Sequence, residues 1–228
     1  MKSNRHATAL LALALSALAA GCGESEPKEN PPEGPSLSSI AEARALPAGT
    51  TAKIEGFVTV VPGTFESATG DKGFALQDDT GGIYVSVPEG VIAGFGAKAS
   101  ITGKLAQVKQ QTVLMADPDT IAPGGETKEV TPEDVKTGEV NESTEGRLVR
   151  VTGQVTKAVV DDQPYGYKVF VDDGSGEVQV YVSIVASMPI IDTTMITMGG
   201  MIEVTGLAGQ YEEAYEVMPR RPEDLLVK

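Results

Sequence analysis

The chain has 228 residues, of which 41% are hydrophobic, 22% charged and 5% aromatic; this excludes both a disordered polyampholyte and a multi-span membrane protein. Lys and Arg number 18 against 32 Asp and Glu, a formal net charge of −14, so the global field opposes nucleic acid and anionic lipid. There is one Cys, one His and no Trp. His6 and Cys22 lie near the N-terminus, so the remainder has no histidine or cysteine for triad, acid–base or zinc chemistry.

In chain order, Lys2 and Arg5 precede an apolar run over residues 7–20 broken only by Thr8 and Ser16, the pattern of an export signal. The run is too short for a permanent membrane-spanning helix. It ends Leu18-Ala19-Ala20-Gly21-Cys22, which resembles the lipobox of bacterial lipoproteins, whose Cys thiol becomes diacylated. That family usually has Leu three residues before the Cys; here Ala19 stands there and the Leu is one step earlier. The resemblance implies a signal peptide over residues 1–21, lipidation (palmitate among the acyl chains) at Cys22 and a membrane as partner. Acyl chains contribute about 0.8 kcal/mol per buried CH₂, so the three expected on a lipoprotein make a stable anchor. Gly23, not Asp, follows the Cys. The resemblance then implies an outer-membrane, periplasm-side location in a diderm cell, otherwise the outer face of the cytoplasmic membrane.

Residues 22–37 read as a disordered tether: the stretch 23–39 holds four Pro, two Gly, four Glu and no aromatic residue, too little apolar surface to order itself. Without Lys2 and Arg5, 16 basic side chains face 32 acidic ones.

Two short helical starts follow. Ser38 and Ser39 offer N-caps, Glu42 lies in the first turn and Pro47 stops the helix. Thr131-Pro132-Glu133-Asp134-Val135 repeats the logic, with a hydroxyl cap, Pro at the first helical position and acids at the positive end of the dipole.

After each start the same series recurs. Ile54-Glu55-Gly56-Phe57-Val58-Thr59 aligns with Val151-Thr152-Gly153-Gln154-Val155-Thr156 at an offset of 97. The turn Asp78-Asp79-Thr80-Gly81-Gly82 aligns with Asp173-Gly174-Ser175-Gly176-Glu177 at 95, and Ile101-Thr102-Gly103 with Val204-Thr205-Gly206 at 103. The rise from 95 to 103 places an eight-residue insertion between the third and fourth strands of repeat 2, at about residues 183–198. A fifth strand follows over 111–116 and 213–218. Glycine inside a strand suits the sharp bends of a small barrel.

Five glycine-bent strands with an irregular link between the third and fourth resemble the OB-fold barrel. With Ile40-Ala41-Glu42-Ala43 and Leu76-Gln77-Asp78-Asp79-Thr80-Gly81-Gly82-Ile83, the chain resembles the OB-fold domains of secreted bacterial nucleic-acid-binding-like proteins. The expected fold is all-β: two tandem five-stranded OB-like barrels with short helical starts, residues 38–125 and 126–228. A single two-layer sandwich is the rival architecture.

Asp78-Asp79, Asp161-Asp162 and Asp172-Asp173 are expected to serve turns: neighbours on a strand point to opposite faces and make no carboxylate dyad. Met188, Met195, Met198 and Met201 fall within 14 residues. Their thioethers could suit Cu(I), but core filling beneath the insertion is the favoured reading, and no metal, cofactor or catalytic residue is expected.

For binding, the second and third strands and their flanking loops are the face an OB barrel offers. If Val169 and Val171 point inward with Val178, Val180 and Val182, alternation turns Lys168, Phe170, Gln179 and Tyr181 outward as a stacking and hydrogen-bonding platform. Tyr165 and Tyr167 on the preceding loop extend it. Tyr84 is the aromatic member of the poorer set in repeat 1, beside Ala75, Gln77 and Ser86; the alternative is that such side chains cover a barrel-to-barrel contact. The resulting expectation is a non-catalytic, lipid-anchored binding or adaptor protein with a protein or saccharide partner. The alternative is a single-stranded nucleic-acid binder using Lys168, Phe170, Tyr181, Arg147, Arg150 and Lys157, against the net charge.

Overall fold

A computed structural model describes residues 34–64, 70–71, 73–88, 91 and 93–228. The signal segment, Cys22 and most of the tether lie outside the described residues.

Repeat 1 comprises β1 (Leu37–Ser38), α1 (Ile40–Arg44), β2 (Thr51–Val60), β3 (Phe74–Gln77), β4 (Gly82–Ser86), β5 (Ala97–Val108), β6 (Gln111–Met115) and β7 (Ile121–Thr127). Repeat 2 comprises β8 (Glu133–Asp134), β9 (Leu148–Val155), β10 (Val160–Asp162), β11 (Gly166–Asp172), β12 (Val178–Val185), β13 (Met188–Pro189), β14 (Met201–Tyr211), β15 (Ala214–Met218) and β16 (Leu225–Val227).

Hydrogen-bonded pairing closes a ring in each repeat. In the first it runs β2–β3–β4–β6–β5 and back to β2, with β4 and β6 parallel. In the second it runs β9–β11–β12–β15–β14 and back to β9, with β12 and β15 parallel. A closed five-stranded ring with parallel third and fifth strands is the OB barrel, and the chain folds into two in tandem.

Alternation fills each interior. Ile54, Val58, Phe74, Leu76, Ile83, Val85, Ile101 and Leu114 form the first core, with Ile40 of α1 packed into it. Val149, Val151, Val169, Val171, Val178, Val180, Val182 and Val204 form the second, so the inward valines of β11 and β12 lie as the period-2 pattern requires.

The mid-strand glycines mark the corners. β2 pairs with β5 up to Phe57 and with β3 from Phe57 onward, so Gly56 precedes the change of partner. A Cβ on Gly56 would lie 2.9 Å from the Gln77 carbonyl oxygen of β3. Gly103, Gly153 and Gly206 occupy the same place in β5, β9 and β14, where a Cβ would meet the backbone of Met115, Asp172 and Met218 at 2.6, 2.8 and 2.4 Å. The ladder register runs unshifted through these four positions; its one irregularity in β2 falls between Val58 and Val60. The glycines therefore act by close backbone approach and not as bulges.

The two turn motifs also tie each barrel to the segment before it. Asp78 Oδ2 accepts from the Ile40 N–H at 2.9 Å and Thr80 Oγ1 from the Ala41 N–H at 3.1 Å. Asp173 Oδ2 and Ser175 Oγ do the same for the Thr137 and Gly138 N–H groups, at 3.3 and 2.9 Å. Ser39 caps α1 in a capping box with Glu42. The second expected helix does not form: Glu133 and Asp134 pair in parallel with β9 as β8, and a 3-10 turn over Thr137–Glu139 takes the place of α1. β8 is the counterpart of β1, which pairs in parallel with β2. Backbone pairing with the barrel edge outweighs the local helix signals of Thr131 and Pro132.

The connection between β12 and β14, residues 186–200, contains β13. Ile191 and Ile196 of this segment enter the core, whereas Met188, Met195 and Met198 are 67, 71 and 70% exposed. The methionines do not fill the interior as expected, because the β-branched isoleucines of the same loop occupy it.

Gly206→Ala is expected to lower stability by about 1–3 kcal/mol, because the Met218 carbonyl has to move. Gly125→Ala, where no atom lies within 4 Å of the new Cβ, should stay within about 0.5 kcal/mol. Urea midpoints of the two variants check this.

Candidate ligand-binding groove

The barrels join through a small apolar seam and a polar rim. Val60, Ala75, Tyr84 and Val113 of the first pack on Leu207 and Met218 of the second. Tyr84 is fully buried there, with its hydroxyl donating to Asp71 at 3.0 Å. It therefore belongs to no open platform. It does lie on the outer face of its barrel, as alternation requires, and the second barrel covers that face.

Around the seam, Gln77 Oε1 accepts from the Leu148 N–H at 2.8 Å, Arg147 donates to the Thr80 carbonyl at 2.6 Å, and Arg220 donates to the Thr59 carbonyl at 2.8 Å. Glu145 is buried between the barrels, 2.9 Å from Arg44, and accepts from the Thr112 N–H at 3.0 Å. Burial pushes its carboxyl above the usual range, against the pull of Arg44.

The described residues leave the corresponding face of the second barrel open. A groove of about 770 Å³ lies along β11, β12 and β15, bounded by the β9–β11 loop with Tyr165 and by the β14–β15 turn with Tyr211. Lys109, from the β5–β6 turn of the first barrel, reaches its edge. Three of the expected residues line it: Lys168, Gln179 and Tyr181. Residues 179, 181 and 183 share the outer face of β12, while Val178, Val180 and Val182 fill the core.

The floor is polar and tightly paired. Lys168 Nζ lies 3.1 Å from Asp162, to which the Tyr181 hydroxyl also donates at 3.2 Å. Burial, then Asp162, pushes the Tyr181 phenol up. Gln179 Nε2 donates to Glu216 Oε2 at 2.7 Å. Glu216 is buried beneath the groove, and loss of hydration pushes its carboxyl up to about 7, opposed by the Gln179 amide and the charge of Lys168. Ser183 is 2% exposed, and its Oγ has no hydrogen-bond partner among the described residues.

Phe170 does not line the groove. It is two residues along β11 from Lys168, and the Lys157 ammonium covers its ring, 4.1 Å from the centroid and 2.6 Å from Glu177. Of the other cations, Arg147 pairs with Glu133 at 3.4 Å and Arg150 with Asp134 at 3.3 Å. Tyr167 points elsewhere, its hydroxyl accepting from Gln163. Contributors not named from the sequence include Glu216, Ser183, Tyr211, Glu212, Glu213 and Lys109. Ser183 was accessible to the alternation of β12; the others depend on the placement of β15, on its turn with β14 and on the seam.

No protein-family model matches the chain, and no curated protein matches it. Among solved structures, an OBody bound to hen egg-white lysozyme is similar at 18% identity, covering 44% of this chain and 98% of that one, with a TM-score of 0.34. A murine DNA binding protein bound with ds DNA is similar at 12% identity, covering 77% and 94%, with a TM-score of 0.41. A Replication Protein A heterotrimer bound to ssDNA is similar at 12% identity, covering 81% and 50%, with a TM-score of 0.33. The barrel assignment rests on the chain's own strand pairing.

A carboxyl raised on folding binds more protons folded than unfolded, so Glu216 favours the folded state at low pH and loses that contribution as pH rises from about 4.5 to about 7. Glu216→Gln should therefore match the parent below pH 5 and exceed it by about 1–3 kcal/mol at pH 8. Urea unfolding of both proteins across this range checks the difference.

Proposed function

We propose that the chain is a non-catalytic binding protein, tethered to a membrane through lipidated Cys22, whose ligand lies in the groove of the second barrel. One observation carries the reading: among the two OB faces, the first is spent on the seam, while the second is left open with a buried, unpartnered Ser183 hydroxyl beneath it. A buried polar atom without a partner costs about 1–3 kcal/mol unless water or a ligand supplies one. The rings of Tyr165 and Tyr211 rise from the loops on either side. Phenol rings, an amide and carboxylates suit stacking on and hydrogen bonding to the hydroxyls of a saccharide.

Single-stranded nucleic acid is the second reading. The face itself favours it, since the second and third strands and their loops are where OB barrels take oligonucleotides, and two of the similar structures contain DNA. Charge weighs against it. Among the described residues Lys168 and Lys109 are the groove's cations and each is already paired with a carboxylate, so few phosphates would be neutralised and few counterions released from the polymer.

Tyr165 is 66% exposed, so Tyr165→Ala should leave the melting temperature unchanged and weaken ligand binding by about 1–3 kcal/mol. Titration calorimetry with neutral oligosaccharides and with a short oligothymidylate at two salt concentrations reads this. Oligonucleotide binding that falls steeply with salt would establish the second reading. Cys22→Ser should abolish fatty-acid incorporation in cells, measured by radiolabelling.

A further inference from the structure

We infer that the groove takes a ligand bearing a primary ammonium group, with a second hydrogen-bonding group roughly 13 Å from it. This rests on the reading of the groove as the binding site, and names the chemistry of what it holds.

Charge inventory comes first. Among the described residues, four carboxylates line the groove, Asp162, Glu212, Glu213 and Glu216, against Lys109 and Lys168. Lys109 is paired with Glu212 at 2.7 Å and Lys168 with Asp162 at 3.1 Å. Glu213 and Glu216 accept from neutral amides, those of Gln110 at 3.0 Å and Gln179 at 2.7 Å. Glu216 is buried and its direct partner is a neutral amide, so its ionised form is costly. A bound phosphate would add a like charge, and a neutral ligand would leave the cost unrelieved. A bound ammonium removes it.

The groove also displays the geometry that such a group would adopt. Lys109, contributed by the other barrel, places its ammonium 5.2 Å from the centroid of the Tyr211 ring while paired with Glu212. That is a cation held between a phenol face and a carboxylate. Tyr181 on β12 and Glu216 on β15 offer the same two chemical groups on neighbouring strands of the floor.

Ser183 sets the length. Gln179, the partner of Glu216, and Ser183 lie on one face of β12 four residues apart, so the Glu216 end of the groove and the unpartnered hydroxyl are separated by roughly 13 Å. A single small amine cannot reach both. A polyamine chain or an oligosaccharide with free amino groups can.

The test is titration calorimetry of the purified protein near pH 7 and low salt, with spermidine, ethylamine, a glucosamine dimer, the N-acetylated dimer, a glucose dimer and a short oligothymidylate. At least one amine should bind, about tenfold or more tighter than the N-acetylated dimer. Spermidine and glucosamine dimer distinguish the aliphatic from the saccharide source. Glu216→Gln should weaken amine binding about tenfold, and Glu213→Gln, at the exposed rim, by a smaller factor with no question of misfolding. Ser183→Ala should reduce the affinity of the long amine and leave that of ethylamine unchanged. Equal or tighter binding of a neutral sugar or the oligonucleotide overturns the ammonium assignment while leaving the groove as the binding site. Absence of binding by every probe overturns both.

Discussion

The barrel-to-barrel seam is the constraint on which the rest of the molecule depends. At its tightest point Gly82 and Gly146 press backbone on backbone: a Cβ on Gly82 would lie 2.0 Å from the Gly146 carbonyl oxygen, and one on Gly146 2.2 Å from that of Gly82. Gly146 also has a φ of +83°, a conformation other residues adopt at a cost. No side chain fits between the barrels here, so the approach is set by main chain. Tyr84 and Leu207 then pack at the centre, while Glu145 is held between Arg44 and the Thr112 N–H.

That approach divides the labour between two barrels of the same design. The contact covers the outer face of the first barrel, and the described residues leave that of the second exposed as a groove. The same contact carries Lys109 of the first barrel to the edge of the second barrel's groove, beside Tyr211 and Glu212, and pairs Gln110 with Glu213. The groove's rim is thus built by both repeats although its floor belongs to one. One copy has a covered outer face and the other an open one because of this contact, not because the barrels differ in architecture.

Inside the groove, burial and charge act against each other. Glu216 is paired by an amide and Asp162 by an ammonium and a phenol, although both lie on one small surface. The strongly acidic composition of the chain extends into the groove instead of being relieved there. A polyanion entering it would meet carboxylates, and the described cations that line it, Lys109 and Lys168, are both held in ion pairs.

Much of the fold was legible in the sequence because barrel formation is a local, periodic requirement. The 97-, 95- and 103-residue offsets, the glycines at the corners and the Asp-Thr and Asp-Ser turns follow from strand period, close approach and turn chemistry, which neighbouring residues dictate. The same alternation placed Lys168, Gln179 and Tyr181 on one face. It could not tell whether that face meets water or another barrel, so Tyr84 and Tyr181 looked equivalent; one is buried in the seam and the other lines the groove. Likewise Thr131 and Pro132 are good helix starters until the edge of β9 offers β8 backbone partners, and Met195 and Met198 are good core fillers until Ile191 and Ile196 take the space. The sequence by itself determined two barrels and the inward or outward sense of their strands. Only the tertiary structure decided which outward face is free and that Glu216 lies buried beneath it, because burial depends on segments distant in the chain that no local pattern encodes.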